Sequence, residues 1–228
     1  MLRLSHVVNA SSHAEQRARL ILVGQNDGQA SGGGVCAPPG PKSNLEDSEL
    51  VVLARSGDMS AYEVLYRRHV GFAINLAVRI QGSAGDVEDI VHDAFLKAHR
   101  QIAELRDPTV FRSWLGSVVV RLVATRLRRR RLFDRLGLTA GDPVDIDAIA
   151  TSGASPEDRA QLAQLYALLQ TLPAADRVAW TLRTIERRPL EEVSQLCQCS
   201  LATAKRRISR AQRFLTSHFV SAFAAEAS

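Results

Sequence analysis

The chain has 228 residues, 46% of them hydrophobic, and a net charge of +5. That is enough for one or two domains with a real apolar core, and the basic balance favours an anionic partner. Three cysteines, Cys36, Cys197 and Cys199, make no disulfide framework, and no apolar run approaches the roughly 20 residues of a membrane helix. The N-terminal MLRLSHVVNASSHAEQRARL lacks the apolar centre of a signal peptide, so the expected setting is a soluble, reducing cytoplasm without membrane insertion.

Residues 1–43 read as a disordered tail. Their GQNDGQASGGGVCAPPGPKS segment is too rich in Gly, Pro and Ser to bury apolar surface, and Cys36 is a lone thiol there. From Leu45 the pattern is helical. Tyr62, Leu65, Tyr66, His69, Ala73, Leu76, Ala77 and Ile80 recur at three- and four-residue spacing, and Gly82 to Gly85 breaks the run. A second run carries Val87, Ile90, Val91, Ala94, Phe95, Ala98 and Ile102. A third opens at Pro108, where a missing N–H costs nothing, and carries Phe111, Trp114, Leu115, Val118 and Leu122. It ends in Arg126–Arg131, five arginines in six positions.

Gly137 to Pro156 carries turn formers and little periodicity, which predicts a flexible linker over 136–155. Ser155-Pro156-Glu157-Asp158 then signals a helix start: a Ser cap, Pro in the first position, and acids on the positive dipole end. The helix buries Leu162, Leu165, Tyr166, Leu169 and Leu172. Pro173 opens another through Val178, Leu182 and Ile185, Pro189 a short one, and Ser200 the last, followed by a tail at 220–228. No segment alternates with period two. The expected fold is all-α, two small helical domains at 45–135 and 156–219.

The last helix places Leu201, Ala204, Ile208, Ala211 and Leu215 on one side and Arg206, Ser209, Arg210 and Arg213 opposite, with Thr203 beside them and Lys205 and Arg207 flanking. Alone, this is equally a solvated basic face. The preceding short helix has its own apolar face (Leu190, Val193, Leu196), and a brief turn joins the two in the outline of a helix-turn-helix, whose second helix enters a DNA major groove. Cys197 and Cys199 fall where such a motif places small apolar residues. Zinc would need two further ligands that the sequence does not supply nearby, so packing is the expected role and no metal or other cofactor is assigned.

Leu172 to Leu215, with LP, LR, EEV, SLAT, KRR and RAQ in spacing, resembles region 4 of the extracytoplasmic-function (ECF) group of bacterial sigma factors. DMSAYEVLYRRHV, DVEDIVHDAFLKAH and FRSWL…RLRRRR resemble region 2 of the same group, in the same order. The resemblance spans about 45–219. It implies a transcription initiation factor that binds core RNA polymerase through its beta-prime and beta subunits and recognises promoter DNA. Proteins of this group are commonly held by a partner anti-sigma factor, so one is a candidate partner here, and a monomer is the default expectation for the free state. Its region 2 role falls on Asp86, Glu88, Asp89, His92 and Asp93 as the polymerase-docking face. Arg106, Phe111, Arg121, Arg126, Arg128 and Arg129 fall at the minus-10 element. Trp114 lies at core spacing. In the last helix, Lys205, Arg206, Ser209 and Arg210 are assigned to minus-35 bases and Ser200, Thr203, Arg207 and Arg213 to phosphates and the helix start.

Four positions depart from the family pattern. Arg121 and Thr125 stand where Asn and Asp are usual, Gln198 where the turn often has Gly, and Arg187 where Gly is common. Gln198 fits such a turn with some strain if its φ is positive.

The alternative is a helix-turn-helix regulator that does not join polymerase. An enzyme is not expected, since no P-loop, Rossmann glycine pattern, HExxH or GxSxG occurs and the Asp89, His92, Asp93 cluster has no complementary set. A membrane-surface helix is disfavoured because the arginine run lacks an aromatic-rich apolar face.

Overall fold

The computed structural model describes residues 42–137, 144–150 and 153–226. The expected N-terminal tail, with Cys36, lies outside the described residues except at its last two positions, and parts of the linker lie outside them as well. Among the described residues every regular element is helical. The first domain comprises α1 (Asp47–Arg55), α2 (Met59–Gln81), α3 (Val87–Gln101) and α4 (Phe111–Arg135). A short α5 (Ile146–Ile149) leads to the second: α6 (Pro156–Thr171), α7 (Ala174–Trp180), a π turn (Thr181–Ile185), α8 (Leu190–Leu196) and α9 (Leu201–Glu226).

Local chemistry sets the helix starts. The Asp58 carboxylate accepts from the Ser60 and Ala61 amides, both at 3.1 Å, and caps α2. Ser155 caps α6 by accepting from the Asp158 amide, with Pro156 at the first helical position. The third run opens more slowly than its spacing suggests. Pro108–Val110 form a 3₁₀ turn held by Asp107, whose carboxylate accepts from the Thr109 amide, before α4 proper begins at Phe111. The helix opened at Pro173 widens into the π turn after Trp180, burying Thr181, Leu182, Thr184 and Ile185. The last helix runs through to Glu226, so most of the tail expected after residue 219 is helical instead.

In the first domain α2 packs on α1, α3 and α4, while α4 and α3 also pack on each other. Phe111, Leu115, Val118, Val119, Val120 and Val123 are all buried, so α4 is a central helix over its first half. In the second, α9 packs on α6, α7 and α8 around Tyr166, Trp180, Leu182 and Leu215. Each large apolar side chain buried this way contributes about 1.5–3 kcal/mol.

The two domains share one continuous hydrophobic cluster. α4 packs on α7 and α8 across their junction, which also includes the C-terminus of α2, where the last carbonyls of a helix have no partner within it. Tyr166 Oη donates to the Arg79 carbonyl (2.9 Å), Arg177 Nη2 to the Gln81 carbonyl (2.5 Å) and the Asp145 amide to the Gly82 carbonyl (3.1 Å). Arg79 also pairs with Glu186 at 2.9 Å. Gly82 is required here twice over. Its φ of +72° is left-handed, and an added Cβ would stand 2.6 Å from Tyr166 Cδ1. Burial pushes Arg177 down to about 10. The described part of the linker is packed as well, with Ile149 buried and Val144 and Ile146 against the core.

Candidate nucleic-acid interface

The turn between α8 and α9 is a Schellman motif. The Cys199 amide donates to the Ser194 carbonyl and the Gln198 amide to that of Gln195, with Gln198 in the left-handed region at φ 49°. Arg187 is left-handed too, at φ 55°. Both departures from glycine therefore hold the backbone that glycine would, with some strain. Ser200 starts α9: its hydroxyl oxygen accepts from the Thr203 amide at 3.2 Å and its hydrogen goes to Thr203 Oγ1 at 2.9 Å.

Ala204, Ala211 and Leu215 seat α9 on the domain, with Ile208 partly buried; Leu201 instead is 46% exposed at the helix tip. Small residues at 204 and 211 let the helix lie close to its neighbours. Lys205, Arg206, Ser209, Arg210 and Arg213 are exposed, while Thr203 and Arg207 are half-buried. Arg206 Nη2 donates to Thr203 Oγ1 at 3.3 Å, one turn back. Arg210 is held from another helix. Its Nε and Nη2 donate to Oδ2 and Oδ1 of Asp176 at 2.5 and 2.7 Å, and Asp176 is fully buried. Asp176 was not legible as a partner in the sequence, because 34 residues separate it from Arg210; only its place in LPAAD, an acid in a helix's first turn, was visible.

Cys197 and Cys199 are free, partly buried thiols packed on the core, and burial pushes Cys197 up to about 11. Packed against the core, both thiols have surroundings that suit a small hydrophobe. Among the described residues no group of three or more His, Cys, Asp or Glu side chains is placed to hold a metal. No helix among them is long and apolar enough to cross a membrane.

The first domain offers a second basic surface at the end of α4. Arg128 and Arg129 are exposed, with Arg128 donating to Thr125 Oγ1 at 3.1 Å. Arg126 is exposed but ion-paired to Asp86 at 2.6 Å, and Arg131 donates to the Thr171 carbonyl at 3.1 Å. Arg121 is half-buried, its Nε enclosed without a partner. Arg106 is exposed just before the 3₁₀ turn. Phe111 is a correction to the minus-10 assignment. It is wholly buried, its ring 5.3 Å from that of His69 and 6.0 Å from that of Trp114, so it holds the root of α4 and no base can reach it. Its position on the apolar stripe outweighs its closeness to the loop. Trp114 is half-buried against the same core.

The acidic face lies on α3. Val87, Ile90, Val91 and Ala94 are buried, and Glu88, Asp89, His92 and Asp93 project on the opposite, exposed side. Asp86 stands apart, left-handed at φ 60° and engaged by Arg126.

Comparison with known proteins finds two family models along the chain. Residues 65–133 match the family model for sigma-70 region 2 and residues 162–215 that for sigma-70 region 4. The chain is 31% identical over 176 residues to the RNA polymerase sigma-H factor of Pseudomonas aeruginosa, covering 73% of this chain and 90% of that one. It is 29% identical over 177 residues to the ECF RNA polymerase sigma-E factor of Escherichia coli K12, covering 74% and 91%. Among solved structures, that of CnrH in complex with the cytosolic domain of CnrY superposes with a TM-score of 0.53 at 26% identity, over 77% of this chain and 97% of that one.

Proposed function

This chain belongs to the ECF group of RNA polymerase sigma factors, and we propose from that premise how its surfaces divide the work of initiation. The exposed acidic side of α3, with Glu88, Asp89, His92 and Asp93, docks on core RNA polymerase, where a basic partner surface would complement it. Arg106, Arg121, Arg128 and Arg129 flank the minus-10 DNA, and counterion release at the α4 end makes that contact salt-sensitive. The start of α9 enters the major groove of the minus-35 element. Lys205, Arg206, Ser209 and Arg210 face base edges there, and Ser200, Thr203, Arg207 and Arg213 lie toward phosphates. Domain limits near 45–135 and 156–219 follow from this division. A similar protein solved with a cytosolic partner domain supports an anti-sigma partner for this chain as well.

The observation that carries the reading is the pairing, in one chain, of region 2 and region 4 matches with a capped helix-turn-helix whose basic side chains are exposed. In vitro transcription with bacterial core polymerase, on DNA from upstream of the protein's own gene, tests it. A discrete start site appears only when the protein is added. Polymerase binding without any transcript would leave a sigma-like protein that does not open promoters. Absence of polymerase binding would leave a helix-turn-helix regulator.

A further inference from the structure

In the second domain Asp176 and Arg210 form a bidentate carboxylate–guanidinium pair, and their exposures are opposite. The Asp176 side chain is 0% exposed and that of Arg210 is 62% exposed. The acid is a buried prop beneath a cation that reaches into solvent. Asp176 belongs to the first turn of α7, where the positive helix end favours its charge, and α7 packs directly on α9.

The atoms used decide what Arg210 can still do. Asp176 occupies the side edge of the guanidinium, Nε and Nη2. A guanidinium has five N–H donors, so Nη1 and the second hydrogen of Nη2 remain as an outward fork. That fork has the spacing of the two acceptors, N7 and O6, on the major-groove edge of guanine. The geometry points to Asp176 as a positioning residue that holds Arg210 ready to read a guanine in the minus-35 element. This rests on the promoter-reading role proposed for α9. An arginine fixed before binding loses little side-chain freedom on binding, and the fixed direction of its fork penalises any other base. Arg206 contrasts with it. It leans on Thr203 of its own helix through a single 3.3 Å contact. Arg206 and Arg210 stand one helical turn apart, about 6 Å, which spans roughly two base-pair steps.

The test uses holoenzyme reconstituted from the full chain and core polymerase. Competition binding is measured against promoter duplexes in which each minus-35 base pair is varied in turn. Arg210→Lys keeps a cation over Asp176, so the fold is retained, but removes the fork. It should abolish the preference for guanine at one base pair, a loss of roughly 5- to 100-fold in discrimination. Asp176→Asn should weaken discrimination at that same base pair by about fivefold or more, leaving other positions unchanged. The double variant should be no less selective there than Arg210→Lys alone. An even loss of affinity across all duplexes on Asp176→Asn would reduce the pair to a structural contact and overturn the inference. So would a change at a different base pair. If the unaltered holoenzyme showed no base preference at this element, the promoter-reading role of α9 would fall first and this inference with it.

Discussion

The two long helices α4 and α9 are built from the same materials and do different work. Each is about 25 residues long, with an apolar stripe and a run of arginines. In α4 the stripe is wide: Val118, Val119 and Val120 are all buried, so the helix is enclosed by neighbours for half its length and its basic residues are concentrated at the far end. In α9 the stripe is narrow, with Ala204, Ala211 and Leu215 the fully buried members among its described side chains, and the basic residues lie alongside it from the start. The helix with more buried positions anchors a domain. The one with fewer leaves a basic face exposed from its first turns. Their arginines differ correspondingly. At the α4 end Arg126 and Arg131 are engaged within the protein, whereas on α9 Lys205 and Arg206 are exposed and Arg210 is held outward.

The strongest way to break this contrast is at the root of α4. Phe111→Ala should cost about 3–5 kcal/mol of stability, read by chemical denaturation, because it empties a fully enclosed site. Unchanged stability with lost promoter opening would return Phe111 to a DNA-contacting role. On α9, Arg206→Ala should leave stability unaltered and cost about 1–3 kcal/mol of minus-35 discrimination, measured by competition binding. The basic end of α4 should behave differently again. Arg129→Ala should lower the log–log salt slope of promoter binding by about 0.9, and Arg126→Ala by less, because Asp86 already neutralises part of its charge. Equal slopes would show that the Asp86 pair opens on DNA.

The smallest effect concerns the core beneath Phe111. Burial pushes the His69 pKa down, outweighing the Asp47 carboxylate 2.6 Å from Nε2. Its Nδ1 is enclosed without a partner, as suits a neutral ring whose Nε2–H donates to Asp47. The unfolded chain therefore takes up the proton first, near pH 6.5, so stability is full above that value and declines as pH falls below it. Burial raises Asp47, but hydrogen bonds from Arg68 and His69 outweigh it and leave its pKa lowered, which adds a further loss of stability at more acid pH. Urea midpoints between pH 7 and 5 should slope downward with acid, and His69→Gln should flatten that slope.

The sequence by itself determined the main helical runs, two of their caps and the family. Period 3.6 in the apolar residues, Ser155 and Ser200 as caps, and the ordered region 2 and region 4 motifs are local or short-range signals, and each has a direct physical cause. It also exposed the turn glycine replacements, since Gln198 and Arg187 are conspicuous where a left-handed residue is needed. What only the tertiary structure decided was which side chains are free to act. Phe111 had signals for both the apolar stripe and the DNA-facing loop, and its enclosure against His69 and Trp114 settled it as core. Arg126 met Asp86, and Asp176 met Arg210, across 40 and 34 residues of chain. The α2 C-terminus found its donors in Tyr166, Arg177 and Asp145, joining two domains that the sequence separates by a linker. Periodicity states which face of a helix is apolar, but not which polar group on another helix will satisfy a charge or a carbonyl. That depends on how the helices cross, and packing alone sets it.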